Sequence, residues 1–150
     1  MKLTQYSDYS LRVLIYLGIH GEELATITEI ADSYRISRHH IVKIVHRLGQ
    51  LGYVETIRGK NGGLRLAQAP ERIVIGKVVR DTEPSLNIVE CFDDPDACVI
   101  TPACLLRGAL SNALTAFLET LDGYTLADLL KPRRRLQQQL FARLKPASGA

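Results

Sequence analysis

Apolar positions along the first fifty residues recur at helical spacing and then change to a shorter period. Leu11, Leu14, Ile15, Gly18 and Ile19 fall at i, i+3, i+4, i+7 and i+8, one buried helical stripe that ends near Gly21. In "TITEIADSYRIS", Thr28 is placed to cap a short helix through "EIADSYR". Ser37 is placed to cap a second helix, "RHHIVKIVHRLGQLG", which stops near Gly52. Ile41, Ile44, Val45 and Leu48 form the apolar stripe of that second helix, and Arg38, His39, Lys43, Arg47 and Gln50 lie opposite. Next, "YVETIRGKNGGLRLA" alternates through Val54, Thr56 and Ile57, turns at "GKNGG" and returns through Leu64 and Leu66, which is a β-hairpin pattern. "VIGKVVRDTE" supplies one more short helix.

Further on, Leu106, Leu110, Ala113, Phe117 and Leu121 recur at steps of four and three, with Leu105, Ala109 and Leu114 widening the face. They predict a helix from Pro102 to Asp122, about 30 Å long. Thr101 is its expected N-cap, Pro102 its first residue and Cys104 its third. Leu136, Leu140, Phe141 and Leu144 give the end of the chain an amphipathic pattern, but a mobile tail is the favoured expectation.

The order of these elements predicts a mainly α fold with a small β-hairpin wing. A winged helix-turn-helix domain over 1–82 is followed by a cysteine loop over 83–104. A long dimerisation helix with a short following helix covers 102–130, and a basic tail covers 131–150. Charge sharpens this division. Residues 35–65 hold seven cations against Glu55 alone, whereas residues 81–130 hold nine acids against Arg107 alone. A helix pair whose second member exposes basic and hydrogen-bonding side chains suits the major groove of DNA. Ser37, Arg38, His39, His40, Lys43 and Arg47 are the candidate contacts there, with Arg58, Lys60 and Asn61 at the wing. A long apolar-striped helix on a small winged domain suits packing against its own copy in a two-fold dimer.

All three cysteines lie in "CFDDPDACVITPAC" at spacing C-x6-C-x5-C. The apolar run near the N-terminus is interrupted by Asp8 and Arg12, and no stretch reaches membrane-spanning length, so no membrane association and a cytoplasmic location are expected. In that reducing compartment clustered thiols point to metal or redox ligation. Zinc sites usually hold a closer cysteine pair or a nearby histidine, and all four histidines lie in the N-terminal half. Wide spacing on a loop suits an iron-sulfur cluster, with a zinc-stabilised module and an iron-sulfur electron carrier as alternatives. No Ser, His and Asp grouping and no phosphate-binding Gly loop before Lys and Ser/Thr points to an enzyme, and "GKNGG" sits in a hairpin rather than between strand and helix.

Three segments, "SDYSLRVLIY", "IRGKNGGLRLA" and "ITPAC", together resemble the winged-helix iron-sulfur regulators, and within them the NsrR-type, nitric-oxide-sensing branch. The resemblance covers residues 1 to about 130 and leaves the basic tail unexplained. It implies a homodimeric repressor that holds an inverted-repeat operator while its cluster is intact and releases genes for nitric oxide detoxification when nitric oxide attacks. It also implies that Cys91, Cys98 and Cys104 are cluster thiolates, with a 4Fe-4S cluster favoured and 2Fe-2S the alternative. The IscR branch takes its fourth ligand from a histidine three residues after the last cysteine. Arg107 stands there, so that mode is closed to this chain. The NsrR-type branch implies instead a carboxylate from the other subunit's first helix, matched by Asp8. The local reading of Asp8 is an i,i+4 ion pair with Arg12, so this pair is the candidate switch. The nearest alternative function is an iron- or cluster-status regulator with a 2Fe-2S centre.

Overall fold

A computed structural model describes residues 1–142 of the chain; the expected contribution of Leu144 lies outside the described residues. Seven α-helices and one antiparallel hairpin follow in the order α1 Gln5–His20, α2 Ile27–Tyr34, α3 Arg38–Gln50, β1 Val54–Ile57, β2 Gly63–Leu66, α4 Ile75–Thr82, α5 Leu105–Asp122, α6 Leu126–Leu129 and α7 Arg133–Phe141.

The central element is α1. Thr4 caps it by accepting from the Ser7 amide, and Gly21 ends it in the positive-φ region. Its buried face is wider than the five-residue stripe predicts. Val13, Leu14, Tyr16, Leu17 and Ile19 are all sealed from solvent, whereas Leu11 and Ile15 are only partly buried. Neighbours enclose α1 from several directions, with α3, α4, α6, α7 and β2 all packed against it.

The helix-turn-helix follows the sequence closely, with one correction. The cap of α2 is Thr26, not Thr28. Thr26 accepts from the Glu29 amide at 3.1 Å while the Glu29 carboxylate accepts from the Thr26 amide at 2.6 Å, a reciprocal capping box. Arg35 turns the chain between α2 and α3 with φ 56°, a left-handed conformation that costs a non-glycine residue energy. Ser37 caps α3 by accepting from the His40 amide at 3.2 Å, and Ile41, Ile44, Val45 and Leu48 are buried as the stripe predicts.

In the hairpin Val54 pairs with Leu66 and Ile57 with Gly63. Gly59 adopts φ 117°, and a Cβ on Gly62 would collide with the Ile57 carbonyl. Ala25 pairs with Leu64 from the far side of β2 through two backbone hydrogen bonds, which ties the wing to the helix pair.

The C-terminal half differs from expectation at two places. Residues Thr101–Ala103 form a 3-10 turn rather than the opening of the long helix, and α5 starts at Leu105. Cys104 is therefore the N-cap of α5, not its third residue, because the Thr101–Pro102 start that predicts a helix closes a tighter turn instead. The end of the chain is not free as far as Phe141. Leu140 is buried, Leu136 and Phe141 pack on the core, and Arg133 donates to the Ile19 carbonyl at 2.7 Å and the Gly18 carbonyl at 3.5 Å, at the end of α1. Among the described residues no helix is long and apolar enough to cross a membrane.

Candidate functional site

Two surfaces carry the candidate chemistry. The first is the outer face of α3 with the wing. Arg38, His39, His40, Lys43 and Arg47 are all exposed along α3, and Arg58, Lys60 and Asn61 are exposed at the hairpin tip. The Ser37 hydroxyl is engaged in the cap, which fixes where the exposed first turn begins. Not all the wing's positive charge is available. Arg65 donates to Glu55 across the hairpin at 2.9 Å, leaving Arg58 and Lys60 at the tip. A recess of about 340 Å³ between α1 and α3 is lined by Tyr6, Tyr9, His40 and Lys43.

The second surface is the cysteine loop. Its chain is folded into three 3-10 turns, Glu90–Phe92, Pro95–Ala97 and Thr101–Ala103. Cys91 lies within the first, and Cys98 and Cys104 directly follow the other two. The loop's acids serve its own turns, since Asp93 accepts from the Asn87 side chain and Asp94 accepts from the Asp96 amide at 3.0 Å. Together these turns bring all three cysteines to the border of one cleft of about 410 Å³, with Val89, Ile100, Leu106 and Leu110 as apolar wall. Among the described residues no three His, Cys, Asp or Glu side chains converge tightly enough to hold a single metal ion. Soft sulfur donors spread around an apolar-walled cleft suit a group with several irons.

Asp8 does not line that cleft within its own chain. It accepts from Arg12 twice, at 2.8 Å from Nη2 and 3.2 Å from Nε. The guanidinium of Arg12 also lies 5.4 Å from the Tyr9 ring centroid and 5.9 Å from that of Tyr34. Tyr34 donates to the Arg12 carbonyl at 2.9 Å, and its hydroxyl pKa is pushed up, mainly by burial.

Several residues absent from the sequence reading connect the two surfaces. Glu83, at the root of the cysteine loop, accepts from the Thr4 amide at 2.8 Å and from its hydroxyl at 3.0 Å. Beside it the buried Thr82 hydroxyl donates to the Ser7 hydroxyl at 2.9 Å. The start of the helix bearing Asp8 is thus fastened to the start of the loop. Tyr53 donates to Asp81 at 2.6 Å, and Lys77 donates to the same carboxylate at 2.7 Å. Burial alone raises the Asp81 pKa, but the hydrogen bonds from Lys77 and Tyr53 and the nearby positive charges outweigh it, so the carboxyl is held below its ordinary value. Arg80 grips Asp122 through two hydrogen bonds, of 2.5 and 2.8 Å, and joins α4 to the end of α5. These links join residues up to 79 positions apart, beyond the reach of local periodicity.

The family described as "Iron-dependent Transcriptional regulator", Rrf2, matches residues 3–132. The chain belongs to the Rrf2 family. Among relatives of this Rrf2 chain, the HTH-type transcriptional regulator NsrR of Geobacillus kaustophilus is 56% identical over 145 residues, covering 95% of the chain and 99% of that protein. The regulator of the same name in Bacillus subtilis is 55% identical over 142 residues, covering 93% and 97%. Among solved structures, T. potens IscR superposes with a TM-score of 0.73 at 25% identity, covering 91% of each chain. CymR, the global cysteine regulator of B. subtilis, superposes at 0.70 with 29% identity, covering 86% of the Rrf2 chain and 95% of CymR. The mainly α winged-helix architecture read from the sequence is therefore the architecture of the family.

Proposed function

We propose that this Rrf2 protein is an iron-sulfur-dependent, DNA-binding transcriptional repressor that works as a homodimer and senses nitric oxide, controlling nitric oxide detoxification genes. The observation that carries the reading is the single cleft bordered by Cys91, Cys98 and Cys104, in a chain more than half identical to two regulators named NsrR. Those three thiolates hold the cluster, 4Fe-4S in preference to 2Fe-2S, and the partner subunit's Asp8 completes the ligand set. When bound, the cluster supplies irons that react with nitric oxide.

The chain's own residues do the rest. Ser37 sets the start of α3 so that Arg38, His39, His40, Lys43 and Arg47 meet bases and phosphates in the major groove, while Arg58, Lys60 and Asn61 bring the wing to the backbone or minor groove. Two copies related by a two-fold axis match an inverted-repeat operator. Asp8 has two competing partners, the other subunit's cysteine cleft and its own Arg12. The bidentate Asp8–Arg12 pair of the single chain supports the second of these states. Because Glu83 and Thr82 fasten the start of α1 to the loop, a change of partner at Asp8 is felt where α1 packs on α3.

The test is anaerobic assembly of the cluster, followed by operator binding with and without nitric oxide. Visible absorbance in the purified protein and loss of operator binding on adding nitric oxide are expected. Operator binding that ignores both iron and nitric oxide would overturn the reading. Asp8→Ala is expected to lower cluster yield or uncouple it from DNA binding. Parental yield and parental response would remove Asp8 from the ligand set.

A further inference from the structure

Arg107 stands on the first turn of α5 and lines the thiol cleft. Its Nε donates to the Cys91 carbonyl at 3.3 Å, and its Cζ lies 5.7 Å from the centroid of the Phe92 ring. The hydrogen bond spans 16 residues and joins the first turn of the cysteine loop to the helix that follows its last cysteine. A guanidinium can make both contacts at once, its charge over the ring and its Nε–H on the carbonyl. Arginine carries no acceptor atom and keeps its charge, so Arg107 is not a ligand. Among the described residues lining the cleft it is the sole cation, with Glu90 the one carboxylate beside the three thiols, and it takes part in none of the ion pairs seen among the described residues.

Three thiolates gathered against an apolar wall repel one another, and a cluster they hold is anionic, so a fixed positive charge at that wall favours the assembled state. We propose that Arg107 is a positioning residue for the cluster. It clasps Cys91 to the start of α5 and offsets the negative charge collected in the cleft. This rests on the iron-sulfur reading above.

The test compares the full-length parental chain with Arg107→Gln and Arg107→Lys. In the cluster-loaded proteins, Arg107→Gln is expected to lose iron to a chelator faster, on the order of tenfold. Its midpoint potential is expected to move negative, because removing a cation makes adding an electron harder. Arg107→Lys is expected to restore the potential but not the full retention. In the cluster-free chains, Arg107→Gln is expected to raise hydrogen exchange over residues 90–98 and leave α1 and α3 unchanged. An Arg107→Gln protein with the parental potential overturns the charge role. Parental exchange over 90–98 overturns the clasp. A parental chain that takes up no cluster counts against the proposed function, while the exchange measurement still decides the clasp.

Discussion

The two longest helices, α1 with 16 residues and α5 with 18, both carry apolar side chains at helical spacing, yet their surroundings are opposite. Eight residues of α1 are buried, and none of α5 is. Leu105 and Leu106 at the start of α5 are 90% and 64% exposed, beside Val99 at 95%. Five elements converge on α1, whereas α5 is held chiefly where α4 meets it, by Arg80 and Asp122. The same periodicity therefore marks a finished core in one place and an uncovered face in another. What distinguishes them is how many other elements pack around the stripe. An apolar face of this extent left uncovered marks an interaction surface.

The largest effect that would break this contrast is expected in α1. Leu14→Ala removes a fully buried side chain and is expected to cost about 3 kcal/mol in urea unfolding. A cost below about 1 kcal/mol would show that α1 is not the central core element. On α5, Leu105→Glu is expected to leave unfolding within about 0.5 kcal/mol of the parent, since its side chain is already exposed and does not line the thiol cleft. The same change is expected to shift sedimentation from dimer towards monomer, and an unaltered dimer would place the interface elsewhere.

At the proposed DNA surface, Lys60→Gln is expected to weaken operator binding and lower the log–log salt slope by about 0.9, one phosphate contact. An unchanged slope would exclude the wing tip from DNA. The smallest effect concerns the links between the two regions. Arg80 holds the Asp122 carboxyl below its ordinary pKa, and Asp81 is likewise lowered. Carboxyls lowered in the folded state add stability above their unfolded pKa, near 4, and that stability is lost as pH falls through the folded values. Thermal stability is expected to fall as pH drops below about 4, and Asp122→Asn is expected to flatten part of that slope. A parental slope in Asp122→Asn would mean that the Arg80–Asp122 pair contributes nothing.

Elements governed by neighbours a few residues away were legible in the sequence. Ser37 and the stripe Ile41, Ile44, Val45 and Leu48 define α3, and "GKNGG" defines the wing turn. The α2 cap was also readable, because Thr26 and Glu29 have capping-box spacing, but Thr28 competes as an equally good side chain two residues on. At "TPAC" proline favours the first turn of a 3-10 helix as readily as that of an α-helix, so the boundary fell three residues too early. That the thiols border one cleft follows from the clustering of cysteines, but Arg107 entered the sequence reading only as the lone cation of an acidic stretch and as a residue unable to ligate. Its contacts with Cys91 and Phe92 are set by how the loop folds back on α5. The packed α7 was missed because its anchor, Arg133 on the α1 carbonyls, is a contact across 114 and 115 positions.

That last anchor has a consequence for how the protein is made. Leu126, Leu130 and Leu140 complete the core around α1, and Arg133 closes its end, so α1 waits for a residue 114 positions downstream of Ile19 before its packing is finished. A chain still on the ribosome has the helix pair and wing in hand but lacks the residues that fix them. By the time those residues emerge, Cys91, Cys98 and Cys104 have already been synthesised. A chain whose α1 is fully packed therefore always carries the cysteine loop as well.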